Sequence, residues 1–254
     1  MKTGIAALFL STAALNSHGA AIVGGWYGTN LGQAEGTVAF VFLSNGQYVE
    51  VEDGNSALDP SGQNGMERGT YTWDAGTGEF SSVTLLNTDG EWGLSDSHCP
   101  PCTVSVVGDT LTANTPDGSN SLTRIANPAS AVVGTWYFRD NPAPGDLTVL
   151  VLLPNGEFLI AIDPPAGGFM EFGNYSWNPG TGAFTSSIVD STAPPGSAID
   201  LPLFTSAGIQ NGNLVLNSAS GNLSFANVDV PEPATFGFAT LSLGLTAFAL
   251  RRQR

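Results

Sequence analysis

The sequence predicts an all-β protein built from two tandem small antiparallel barrels, and three observations lead there. The stretch Gly69-Thr-Tyr71-Thr-Trp73-Asp-Ala-Gly-Thr-Gly-Glu-Phe80 returns as Gly173-Asn-Tyr175-Ser-Trp177-Asn-Pro-Gly-Thr-Gly-Ala-Phe184, with its glycines, tyrosine, tryptophan, threonine and phenylalanine at identical spacing. Short apolar and β-branched runs recur between turn-forming clusters. The composition agrees: 32 glycines, 16 prolines, 42% hydrophobic and only 11% charged residues describe a β-rich globular chain rather than a helical or disordered one.

The repeat extends well beyond the opening motif. Val23-Gly-Gly-Trp26-Tyr27 answers Val133-Gly-Thr-Trp136-Tyr137 at an offset of 110 positions, whereas Trp73 and Trp177 are 104 apart. The difference falls in one loop, because Asp53–Met66 is longer than Asp163–Met170. Further on, Thr110–Asn114 answers Asn213–Asn217. Landmarks that agree in order indicate an internal duplication. The expected units are residues 22–126 and 132–228, joined by Asn127-Pro-Ala-Ser130.

Each unit reads as about eight strands in meander order. Thr37–Leu43 and Gln47–Asp53 flank Ser44-Asn-Gly46, and their partners Leu147–Leu153 and Glu157–Asp163 flank Pro154-Asn-Gly156. Proline before Asn-Gly favours a type I turn at Pro-Asn with glycine in a left-handed bulge, so the same turn is expected in both copies. Further strands are expected over Gly69–Asp74, Phe80–Leu86, Val104–Val107, Leu111–Asn114 and Leu122–Ala126, with Gly76-Thr-Gly78 turning inside the motif. Strand alternation places Tyr71 and Trp73 on one face, and Tyr175 and Trp177 likewise. With Trp26 and Trp136 they are expected as core anchors, an aromatic binding platform being the functional alternative. Units of this size suit small closed barrels; two β-sandwiches are the alternative architecture.

Charge excludes several function classes. With Lys2 and the three tail arginines set aside, three cations of seven remain (Arg68, Arg124, Arg139); with Glu232 set aside, 21 acids of 22 remain, a net of −18. That balance excludes nucleic acid, whose phosphates need cations. His98 is the one histidine outside the N-terminal segment, so a multi-histidine metal site is excluded and any Ser-His-Asp triad would have to use it. His98-Cys99-Pro-Pro-Cys102 occurs in the first copy alone. In an oxidising compartment a disulfide between Cys99 and Cys102 is expected, with redox activity and metal binding as alternatives. The acidic loops Asp53–Gln63 and Asp89–Asp96 lack a recognised calcium spacing and are expected to be solvated. Neither a cofactor nor a bound metal is expected. No pair of acids stands out as catalytic, so an enzyme, a carboxylate-dependent glycan hydrolase, is the least favoured reading.

Both ends read as addresses. Residues 1–20 fit a signal peptide, Lys2 preceding a short apolar core and small residues that permit cleavage. At the other end Pro231-Glu232-Pro233 leads into the apolar run Phe236–Leu250 and ends in Arg251-Arg252-Gln-Arg254. Such a run can form a short transmembrane helix with its arginines held on the cytoplasmic side.

Two resemblances follow from these residues. Gly24-Gly-Trp26 and Gly134-Thr-Trp136 resemble the Gly-x-Trp opening of the calycin barrels (lipocalins and relatives), which implies Arg124 in the last strand covering Trp26. The aligned residue of the second copy is expected to be Phe225. Residues 230–254 closely resemble the PEP-CTERM sorting signal. The resemblance implies recognition by an exosortase, with Pro231, Glu232, Pro233, Arg251, Arg252 and Arg254 as substrate residues. It also implies an inner-membrane-anchored precursor that reaches the surface or extracellular matrix of a Gram-negative bacterium. The expected function is that of an exported, non-enzymatic cell-envelope or matrix protein, with exopolysaccharide or other matrix components as further partners. A barrel binding a glycan or a small apolar ligand is the second reading.

Overall fold

The structure is a computed structural model describing residues 22–29, 36–58, 60–128, 131–138, 147–164, 167–194 and 201–228. The expected signal peptide, the tail with its hydrophobic helix, and Arg139 lie outside these residues. The first copy contributes β1 (Gly24–Thr29), β2 (Thr37–Phe42), β3 (Gln47–Asp53), β4 (Gly65–Trp73), β5 (Glu79–Asn87), β6 (Cys102–Val107), β7 (Thr110–Thr115) and β8 (Gly118–Arg124). The second contributes β9 (Gly134–Phe138), β10 (Leu147–Leu152), β11 (Glu157–Asp163), β12 (Phe169–Trp177), β13 (Phe184–Ser191), β14 (Phe204–Gln210), β15 (Asn213–Ser218) and β16 (Gly221–Asn227). Strands β1 to β8 pair in chain order and close on themselves through β1 and β8. Strands β9 to β16 form the same ring, open between β13 and β14, where the isolated bridge Ala183–Ser206 replaces a ladder.

The duplicated motif holds each ring together at its weak points. Tyr71 Oη donates to the Leu43 carbonyl at 2.9 Å and Tyr175 to Leu153 at 2.7 Å, tying β4 and β12 to the preceding hairpin turn. The Trp73 and Trp177 indoles donate to the Val104 and Ala207 carbonyls, both at 2.9 Å, across the sparsely paired seams β5–β6 and β13–β14. All four aromatics are partly exposed, whereas Trp26 and Trp136 are fully buried and donate to the Ile22 and Val132 carbonyls at 2.8 Å. Gly69 and Gly173 recur because a ring lies over each: a Cβ would sit 2.5 Å from Tyr48 in one barrel and 2.7 Å from Phe158 in the other. The Asn-Gly turns are the expected ones, with Gly46 at φ 81° and Gly156 at φ 88°. Their amides donate to Leu43 and Leu153.

Arg124 lies 3.9 Å over the Trp26 ring and donates to the Val23 carbonyl. Its counterpart is not Phe225. Arg124 pairs with Trp26 and Asn227 with Trp136, so the cation's place in the second copy is taken by Asn227, which hydrogen-bonds Asn127. Phe225 instead occupies the place of Leu122, each facing a leucine of the preceding strand.

The barrels are not beads on a string. Ala39, Val41, Val49, Val51 and Met66 point out of the first barrel and meet Val149, Val151, Leu159, Ala161 and Met170, the same positions of the second, in one buried core. Ile125 and Val228, also equivalent, complete it. Strands β2, β10 and β11 are therefore largely apolar on both faces, β10 is buried throughout, and β3 turns Val49 and Val51 to this core and Glu50 and Glu52 inward. Each valine, leucine, isoleucine or methionine here contributes about 1.5–3 kcal/mol on burial. At the edge of this core the Arg68 guanidinium pairs with Asp163 of the other barrel, their side chains 12% and 4% exposed. Close by, Asn64 donates to Asp53 and to Asp190. Burial, then the Asp190 and Glu157 carboxylates, push Asp53 up to about 6.

Two predictions concern this interface. Arg68→Met should cost about 3–5 kcal/mol in denaturant unfolding, because Asp163 is left buried without its cation, and adding Asp163→Leu should recover most of it. Asp53 holds its proton in the fold at pH values where the unfolded chain has lost it. Stability should therefore rise as pH falls from 7 through 6 towards 4. Asp53→Asn should make Tm less pH-dependent over that window; an unaltered slope would contradict the assignment.

Candidate functional site

The copies differ most inside the barrels. Glu50 on β3 directly opposes Glu67 on β4, whereas Ile160 opposes Glu171 in the second barrel. Glu52 opposes Gly65, against Ile162 and Phe169. Ala113 and Leu122 correspond to Leu216 and Phe225. The larger apolar set fills the second barrel, whose interior includes Leu150, Phe158, Ile160, Phe169, Phe184 and Leu201 as one buried cluster. The smaller and acidic set leaves a cavity of about 460 Å³ in the first. Phe40, Phe42, Phe80, Val104, Leu111 and Leu122 form its apolar wall. Glu52, Glu91, Asp96 and Asp117 stand among its lining residues, which gives it an acidic side. A space of this size is typical of small-molecule sites.

The loop between β5 and β6 covers one side of the cavity. Trp92 is buried in it at 6% exposure, its ring lying against Gly54 and Gly62, where any Cβ would fall within 2.1 Å. The Asp89–Asp96 segment is thus not the solvated loop that its composition suggests. Asp89 is 0% exposed, Glu67 0% and Glu50 1%, and oxygens of all three lie within 4.8 Å of one another. Glu67 accepts hydrogen bonds from the Leu94 and Ser95 amides at 3.0 Å, from Tyr48 Oη and from Asn87. Glu50 accepts one from the Leu94 amide at 3.1 Å. Gly93, at φ 86°, brings these amides in; a Cβ there would lie 2.6 Å from the Glu50 carboxylate.

Burial comes first among the causes that raise all three acids, pushing Asp89 up to about 8 and Glu50 well above the carboxylate range; Glu67 adds repulsion to both. Three carboxylates are the type of donor set that hard cations take. Sequence reasoning passed over Glu50 and Glu67 because each sits singly in a β-strand. Glu50 alternates with Val49 and Val51 as a solvent-facing acid would; the available signal was the second copy, which has Ile160 at the same position.

Cys99 and Cys102 form the expected disulfide, with Cα atoms 5.2 Å apart, at the end of the same loop. Exposed His98 pairs with Asp117 at 2.9 Å, and that hydrogen bond raises its pKa. The histidine is thus committed to Asp117, and the cysteines to each other.

The description of the PEP-CTERM protein-sorting motif matches residues 229–253. The chain carries a PEP-CTERM sorting motif. The PEP-CTERM motif implies export with exosortase-dependent sorting and processing at the membrane. Its residues lie outside the described ones, among which no helix is long and apolar enough to cross a membrane. A search of curated proteins returned no match to this chain.

Proposed function

We propose that this PEP-CTERM protein is a non-enzymatic component of the cell envelope or extracellular matrix whose first barrel binds a small apolar ligand. The second barrel is a structural partner. The observation that supports this reading is the contrast between the barrels: one scaffold, filled by large apolar side chains in one copy and hollow in the other. The acidic lining disfavours fatty acids and other anions, so the ligand is neutral or cationic.

Importing the second barrel's residues tests the cavity. Ala113→Leu with Leu122→Phe should fill the space and abolish capture of small neutral apolar probes by the full chain in native mass spectrometry. Equal capture by both proteins, or none by the wild type, would contradict the reading. The tail is tested separately. Replacing Pro231, Glu232 and Pro233 with alanine should leave full-length protein in the inner-membrane fraction, measured by fractionation and immunoblot. Unchanged release would remove the exosortase route.

A further inference from the structure

We propose that Glu50, Glu67 and Asp89 bind one calcium ion, which fastens the loop between β5 and β6 to the wall of the first barrel. The site is assembled from three separate places in the chain, β3, β4 and the start of the loop, so it exists only in the folded protein.

Four observations support an ion rather than an incidental acidic cluster. First, Asp89 is 0% exposed, yet neither of its carboxylate oxygens receives a hydrogen bond from any other residue. A buried carboxylate without partners is costly, and a cation relieves it. Second, Glu50 and Glu67 oppose each other directly across β3 and β4, a like-charge pairing that destabilises a sheet unless something stands between the charges. Third, the protein supplies donors suited to ionised rather than neutral acids: two loop amides and the Tyr48 hydroxyl point at Glu67. Among the described residues it has no cation of its own there. The described arginines are turned elsewhere, Arg68 to Asp163 and Arg124 to Trp26, and the one lysine is Lys2.

Fourth, the second copy separates scaffold from site. Thr88 and Thr192 occupy one position, since each accepts from and donates across to the matching methionine pair, Met66 and Met170. The residue after each is Asp89 in one barrel and Ala193 in the other. With Ile160 in the place of Glu50, two of three acids are gone from the copy that needs them only if they were structural. The fold forms without them; the first barrel keeps them for another purpose.

Donor chemistry and tolerance of irregular geometry favour calcium. All three donors are carboxylate oxygens, which hard divalent cations prefer. Oxygens that all lie within 4.8 Å of one another can reach a single ion at the calcium distance of about 2.4 Å, and calcium accepts irregular oxygen geometry where magnesium demands a near-ideal octahedron. Calcium sites of extracellular modules bind with Kd values of about 10⁻⁴–10⁻³ M, the range expected here for an exported protein. The ion site stands whether or not the cavity takes a ligand.

The test uses the full chain, stripped with EDTA and titrated with calcium chloride by calorimetry and thermal unfolding. One ion per chain is expected, and calcium at about a hundredfold above its Kd should raise Tm by roughly 5–10 °C, with magnesium giving less. Glu50→Ile with Asp89→Ala, the second barrel's residues, should fold without calcium and lose both the heat and the Tm shift. Asp89→Asn alone should weaken binding at least tenfold, which serves should the double variant not fold. Ala113→Leu with Leu122→Phe should leave calcium binding intact, separating this site from the cavity. No heat and no shift in the wild type, or wild-type affinity in the Asp89→Asn variant, would overturn the proposal.

Discussion

The apolar core between the two barrels is the constraint on which the rest depends. It is made from the same positions of both copies, Val41 with Val151, Val49 with Leu159, Met66 with Met170, so the copies meet about a pseudo-two-fold relation. A strand facing a barrel interior on one side and a neighbour on the other must be apolar on both, and β10 and β11 satisfy this almost without exception. Where β1 meets β9 there is room for one side chain only, that of Thr135: a Cβ on Gly25 would sit 1.9 Å from its hydroxyl. That is one reason why Gly24-Gly-Trp26 and Gly134-Thr-Trp136 differ at their middle residue.

Once the scaffold is shared, each copy is free to differ elsewhere. The second spends its interior on packing, with Ile160, Ile162 and Phe169 where the first has Glu50, Glu52 and Gly65. The first gives up that packing for a cavity, three buried carboxylates and a disulfide-stapled loop. Buried like charges cost stability, and the common core with a fully packed partner supplies a source of it. Duplication here relieves one barrel of the need to be stable alone.

Much of this architecture was legible in the sequence for local reasons. The Asn-Gly turns, the strand order and the recurrence of Tyr-x-Trp depend on residues within one hairpin, and the Arg124–Trp26 stack follows from a known opening motif. The barrel-to-barrel core was written in Leu147–Leu153 as a run with no polar alternation, but its partner lies about a hundred residues away and periodicity cannot name it. The carboxylate site depends on three-dimensional register. Glu50 meets Glu67 only once β3 and β4 are aligned, and Asp89 joins only because Trp92 folds the loop inward onto Gly54 and Gly62. A two-residue shift in alignment was also enough to misplace the last strand, where Asn227, not Phe225, stands for Arg124.

The central claim is that the two barrels form one cooperative unit through their common core. Scanning calorimetry of the full chain tests it most directly, by comparing the calorimetric with the van't Hoff enthalpy of unfolding. The account predicts a single transition with equal enthalpies. Two separate transitions, one for each barrel, would contradict it.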